Sequence, residues 1–192
     1  MGKHILVING HPDPAPERLC GALASAYAGA AAAAGHSVAR LEVGALDFPV
    51  LRRNGEFLEE PQDAAIRDAR AEITRADHLV FIYPLWLGGP PALLKAFLEQ
   101  VSRAGFALTA GPGGLPKGQL KGKSARVIVT MGMPAIAHRL IYGAHGVKAI
   151  NRSILNIAGV KPVHTTYVGA VDSEARCAAA VRAAAALGRA AQ

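Results

Sequence analysis

Short apolar runs alternate along the chain with longer stretches whose apolar residues recur every three to four positions. Ile5 to Asn9 is apolar and ends at Gly10, the pattern of a strand buried on both faces in a parallel sheet. From Arg18 to Ala34 the apolar residues Leu19, Ala22, Leu23, Ala26 and Tyr27 mark one helical face, with Gly35 placed to end it. Ser37 to Val43 alternates as a strand. Gly44 to Pro61 reads as a long, partly helical loop, and Gln62 to Ala76 as an amphipathic helix. A second apolar strand, His78 to Tyr83, is ended by Pro84. Pro91 to Ala104 is a helix with proline in its first turn, where a missing amide costs nothing. Phe106 to Gly122 is rich in Gly, Pro and Lys and reads as loop. Ala125 to Met131 is a strand, His145 to Ala158 a helix stopped by Gly159, and Val163 to Val168 the last strand. Asp172 caps a final Ala-rich helix that runs to about Arg189.

Five strands separated by helices, with no repeat and no linker, predict an α/β fold: one domain over residues 1–192, an open parallel sheet with helices on both faces. Ligands of such sheets bind at the carboxyl ends of the strands, where the strand order reverses. The loops that follow the strands are therefore where chemistry belongs.

Composition narrows the class. Of 192 residues, 51% are hydrophobic and 18% charged, which excludes a disordered chain. Alanine is about a fifth of the residues and aromatics are 5%, so the core is built from Val, Ile and Leu with close Ala-lined helix contacts. No apolar run approaches the ~18 residues of a membrane span. The opening Met1 to Asn9 is too short an apolar stretch for a signal peptide. Cys20 and Cys177 lack metal or redox spacing and read as reduced, buried residues of a cytoplasmic protein. Residues 1–96 hold 9 Lys/Arg and 11 Asp/Glu, net −2; residues 97–192 hold 12 and 3, net +9. That basic half suits nucleic acid, an anionic small ligand or plain solubility. Nucleic acid is disfavoured, because the charges are scattered and no recognition motif accompanies them.

Three loops carry candidate chemistry. After the first strand, Gly10-His11-Pro12-Asp13-Pro14-Ala15-Pro16-Glu17-Arg18-Leu19-Cys20 leads into a helix N-terminus, which attracts anions. It has no GxGxxG or GxxxxGK[ST], so a phosphate there relies on His11, Arg18 and the amides near Leu19 and Cys20; the alternative is a rigid turn with a solvated Arg. After the third strand, Pro84-Leu85-Trp86-Leu87-Gly88-Gly89 holds the only Trp, suited to a flat ring ligand or to plugging the sheet end. After the fourth strand, Thr130-Met131-Gly132 lets backbone approach a ligand. His145, between Gly143-Ala144 and Gly146, is either structural or a proton donor. No nucleophile–base pair, HExxH or metal-spaced carboxylate cluster appears, which favours a cofactor that brings its own chemistry.

Pro84-Leu85-Trp86-Leu87-Gly88-Gly89-Pro90-Pro91-Ala92-Leu93-Leu94-Lys95, followed by Phe97, Val101, Gly105, Phe106 and Ala107, resembles the flavodoxin-like NAD(P)H:quinone oxidoreductase family. This group includes DT-diaphorase and the potassium-efflux ancillary oxidoreductases. Gly10-His11-Pro12, Thr130-x-Gly132 and His145-Gly146 agree in order and spacing. The resemblance implies a flavodoxin-like five-stranded sheet of order 2-1-3-4-5 and a cytoplasmic homodimer with its sites at the interface. It implies FMN or FAD, with FMN favoured by the short chain and by the absence of an adenine signature. It places His11, Arg18, Leu19 and Cys20 along the flavin phosphate and ribityl chain. Pro84, Leu85, Trp86 and Leu87 line the ring edge, Thr130 and Gly132 meet the pyrimidine end, and His145 faces the substrate as the catalytic residue. It implies a ping-pong exchange in which NAD(P)H reduces the flavin and a quinone-like acceptor reoxidises it. The runner-up is a regulatory subunit of a membrane transporter with little turnover of its own. The chain departs from the family at Arg18, where relatives carry Ser, at Leu87-Gly88, where many carry aromatics, and at Leu108, where some carry Tyr. A wider, less aromatic pocket follows. Lys117, Lys121, Lys123 and Arg126 are expected to meet the anionic nucleotide.

Overall fold

The computed structural model describes residues 2–192; Met1, quoted in the opening run, lies outside them. Five strands, β1 (His4–Asn9), β2 (Ser37–Glu42), β3 (His78–Pro84), β6 (Ser124–Met131) and β7 (Val163–Gly169), form one parallel sheet of order β2-β1-β3-β6-β7. This is the expected 2-1-3-4-5 order. Two further strands, β4 (Leu108–Ala110) and β5 (Pro116–Gly118), pair as an antiparallel hairpin within the segment read as loop. Each has only three residues, too few for alternation to register as a strand, so nothing in the pattern marked it.

Among the described residues the α-helices are α1 (Leu19–Ala33), α2 (Ala64–Arg75), α3 (Ala92–Val101), α4 (Ala135–Leu140), α5 (His145–Lys148) and α6 (Glu174–Ala190). α5 widens without a break into a π-helical stretch, Ala149–Asn156, so the helix expected over 145–158 is one rod of two geometries. Gly35, at φ 87°, ends α1, and the His36 amide closes on the Ala31 carbonyl at 3.1 Å. Ser173 rather than Asp172 precedes α6. The 44–61 loop carries two short 3-10 turns, Val43–Ala45 and Asn54–Leu58.

The sheet divides the core in two. Alternate residues Ile5, Val7, Val80, Ile82 and Ile128 pack with Leu23, Tyr27 and Ala31 of α1 and with α6. Leu6, Ile8, Leu79, Phe81, Tyr83 and Val127 pack with Ile66 and Ile73 of α2, Leu94 and Phe97 of α3, and Val147 and Ile150 beyond. The Ala content has a steric use: a Cβ on Gly188 of α6 would overlap the Tyr27 carbonyl of α1, so these two helices meet nearly backbone to backbone. Cys20 is buried, but Cys177 is only half-buried, its Sγ donating to the Val171 carbonyl at 3.1 Å.

The four basic residues expected near a nucleotide lie at or before the start of β6, at the edge opposite the strand carboxyl ends. Lys123 Nζ donates to the carbonyls of Thr74 and Ala76 at 2.7 and 2.6 Å, closing the C-terminus of α2 where its dipole favours a cation. Arg126 is spent inside the sheet face, on Thr166 Oγ1 at 3.3 Å. Lys117 lies on the β4–β5 hairpin and Lys121 packs on Gly159. No part of that cluster faces the strand-end loops.

Candidate functional site

The loops after β1, β3 and β6 meet at one end of the sheet. Backbone bonds tie them there: the Gly10 amide donates to the Ile82 carbonyl and the Leu85 amide to the Thr130 carbonyl, both at 2.8 Å.

The β1 loop is held by a chain of hydrogen bonds. Asn9, buried at the end of β1, donates from Nδ2 to Glu42 Oε2 at 2.7 Å, and its Oδ1 accepts the His11 amide at 3.2 Å. His11 Nδ1 accepts the Asp13 amide at 3.0 Å. Asp13 Oδ1 accepts the Ala15 amide at 3.0 Å, and its Oδ2 accepts Arg18 Nε at 2.7 Å. Because Nδ1 is an acceptor, neutral His11 carries its proton on Nε2. Burial pushes the His11 pKa below its ordinary value of 6.5, against the Asp13 charge that would raise it. The Asp13 carboxyl is held low, first by the Ala15 amide and then by Arg18. Gly44 backs the loop so closely that a Cβ there would overlap the Pro12 carbonyl.

Arg18 is the residue before α1, and no side chain among the described residues caps that helix. The first-turn amides at Leu19 and Cys20 are thus left for an anion. Cys20 turns its thiol inward, 3.5 Å from Thr130 Oγ1, and burial raises its pKa to about 11. Its amide can serve a ligand, and its sulfur is an inert packing atom.

The β3 loop is a tight turn. Trp86 and Gly89 exchange backbone hydrogen bonds at 2.9 and 3.0 Å around Leu87 (φ 48°) and Gly88 (φ 82°), the geometry of a type I′ turn. Leu87 projects fully into solvent at its tip. Trp86 is 49% exposed and meets the His11 ring edge to face at 5.8 Å between centroids. Through His11 the anion end and the aromatic end form one assembly. Pro84 and Thr130 are buried beneath, on adjacent strands in register.

Gly132 is exposed, with open space where a side chain would be. His145, also exposed, begins α5. A Cβ on the next residue, Gly146, would overlap the Gly88 carbonyl, so this glycine clamps α5 against the Trp86 turn and brings His145 to the site. An apolar cleft of about 480 Å³ opens beside them, lined by Trp86, Leu87, Pro90, Pro91, Ile150 and Ile154 among others. The structure thus brings all eleven residues singled out from the sequence to one edge of the sheet. Asn9, Glu42, Asp13 and Gly44 were missed, and Gly146 entered only as part of the His145-Gly146 motif, without its packing role. Of the four, Asp13 had a local signal, an Asp-Pro turn five residues before Arg18. The others act through contacts distant in sequence.

The α1 amides at Leu19 and Cys20 have no side-chain cap, which suits the flavin phosphate that the resemblance implies. The comparisons with known proteins agree with that architecture. A family model described as flavodoxin-like fold matches residues 3–190, and the chain belongs to this family. It is 38% identical over 73 residues to an FMN-dependent NADH:quinone oxidoreductase of Bordetella avium (strain 197N), covering 38% of this chain and 36% of that protein. It is 39% identical over 83 residues to the glutathione-regulated potassium-efflux system ancillary protein KefG of Salmonella paratyphi B, covering 43% of this chain and 39% of that protein. The matched segments thus span little more than a third of either relative. The solved NAD(P)H:quinone oxidoreductase from Methanothermobacter marburgensis superposes with a TM-score of 0.85 over 100% of both chains at 21% identity. An FMN-dependent NADH-azoreductase from Bacillus anthracis, solved with FMN, gives 0.76 over 98% of both chains at 15% identity. At those identities the likeness is one of fold.

Proposed function

We propose that this protein is a flavin-dependent NAD(P)H oxidoreductase that carries FMN and passes two electrons to a quinone-class acceptor: NAD(P)H + H⁺ + quinone → NAD(P)⁺ + hydroquinone. The observation that carries this reading is the joining, through the His11–Trp86 contact, of an anion-receptive helix end to an apolar cleft edged by Trp86. The FMN-dependent relative supports it. FMN, when bound, supplies the hydride acceptor and donor.

The chain's own residues position and stabilise. The α1 amides at Leu19 and Cys20 hold the phosphate, and Trp86, steadied by His11, bounds the ring. Gly132 would offer its backbone amide to the ring's polar end. Pro90 and Pro91 wall the cleft beside Trp86 and limit water at the reacting face. His145 supplies the proton that the acceptor needs. NAD(P)H and acceptor use the same cleft in turn, so initial-rate plots should give parallel lines.

The reading also places the protein in the cytoplasm as a homodimer. The Trp86 cleft continues, through Lys95, Ala149 and Ile154, into a second apolar cleft of about 370 Å³ lined by Phe57, Leu98, Ala107 and Leu108. A second copy lying along that strip would close the site. Among the described residues no helix is long and apolar enough to cross a membrane.

The similarity to KefG favours a second reading, an ancillary subunit of a transporter. One preparation separates the two. A yellow protein whose heat-released flavin runs as FMN, and which reduces quinone with NAD(P)H, supports the enzyme. A colourless protein that takes up no flavin supports the subunit. Sedimentation velocity reports the dimer.

A further inference from the structure

The phosphate end of this site works against its own ligand. Between Gly10 and Arg18 there are two carboxylates, Asp13 and Glu17, and one guanidinium, Arg18, a net charge of −1. The loop has no Ser or Thr hydroxyl, and Pro12, Pro14 and Pro16 remove three amides. His11 adds no donor on its Nδ1 side, because that nitrogen already accepts the Asp13 amide. Arg18, the residue just before the α1 amides, directs both Nε and Nη2 at Asp13 Oδ2, at 2.7 and 2.6 Å. That is the edge a guanidinium presents to a phosphate. A phosphate dianion must therefore displace Asp13 from Arg18 or do without it. The side chains are 52% and 41% exposed, so the pair is cheap to part and competes without blocking.

We propose that Asp13 sets the affinity of this protein for its flavin phosphate by competing for Arg18, and so keeps FMN exchangeable with solution rather than permanently resident. The proposal rests on the flavin reading above. It makes Asp13 a specificity-determining residue: its charge acts on the phosphate and leaves the ring untouched.

Equilibrium titration of the purified full chain with FMN and with riboflavin, followed by flavin fluorescence, tests it. Asp13→Asn keeps an oxygen for the Ala15 amide, bonded at 3.0 Å in the wild type, while removing the charge and releasing Arg18. The variant should bind FMN about five-fold more tightly or better, the factor one unit charge makes at ~4 Å in water. Riboflavin affinity should stay unchanged. In an Arg18→Gln background the same substitution should gain much less, because the released partner is gone. Asp13→Asn that binds FMN no tighter, or more weakly, overturns the proposal and makes Asp13 a structural anchor of the loop. An equal gain with riboflavin overturns it too. A wild-type chain that binds neither flavin overturns the flavin reading and this proposal with it.

Discussion

The loop that follows β1 and the segment that follows β6 face the same site and are built in opposite ways. In the first, Asn9, His11, Asp13 and Arg18 are joined by consecutive hydrogen bonds that extend through Glu42 to Arg40. In the second, residues 132–146, Ile136, Leu140, Ile141 and Tyr142 are exposed. His138 is buried against Tyr167, yet neither ring nitrogen has a partner among the described residues. No Asp or Glu occurs between Glu99 and Asp172 to offer one. The first loop is preorganised by this chain alone. The second leaves polar and apolar demand that a ligand or a second copy must meet.

Several experiments break or sharpen that contrast. The largest effect uses a control at the far edge of the sheet, His78, a buried ring bonded to Ser124 Oγ at 2.7 Å. Burial, aided by nearby Lys3 and Arg126, depresses its pKa from 6.5 to about 4. The unfolded chain then takes up a proton that the folded chain refuses. Stability falls as pH drops from about 6.5 towards about 4, by up to about 3 kcal/mol. Denaturant melts of His78→Gln across that window should lose most of this slope. If the slope persists, the titrating group lies elsewhere.

Gly146→Ala comes next. Its methyl must push the Trp86 turn away from α5, and acceptor kcat/KM should fall about 100-fold, as for an ångström-scale misplacement. FMN affinity, which the first loop also anchors at the phosphate, should fall much less. Equal losses in both would show that the two regions are one unit. His145→Gln should lower turnover about 10- to 100-fold with FMN binding intact. Unchanged turnover between about pH 6 and pH 9 would remove His145 from proton supply. Leu87→Asn has the smallest effect. It relieves a left-handed leucine and should raise stability by about 1 kcal/mol, read from the denaturation midpoint. A higher KM for the acceptor would show that the exposed tip is used.

The parallel sheet and the position of every strand-end loop follow from the apolar runs, because a parallel strand buried on both faces leaves a signal several residues long; the strand order follows only from the resemblance. The hairpin of β4 and β5 does not, since its pairing is held by backbone across a Gly-rich turn. The aromatic and anion ends of the site are legible at Trp86 and Arg18. What joins them is not, because a histidine in a loop says nothing of the ring it will meet. The basic second half shows the same limit. Its sign is plain in the sequence, but Lys123 and Arg126 are spent on carbonyls and a hydroxyl within the fold, at the edge away from the site.

The contact between α1 and α6 bears on how the chain is made. The Tyr27 hydroxyl donates to the Gln192 carbonyl across 165 residues at 3.0 Å, and Lys3 Nζ reaches the Ala191 carbonyl at 3.1 Å. During synthesis, the part of this sheet face that α1 does not cover and the side of α1 that meets α6 stay uncovered until α6 leaves the ribosome. The Ala-rich helices present little bulky apolar surface during that wait, which lessens the hazard of premature association that such late, non-local closure brings.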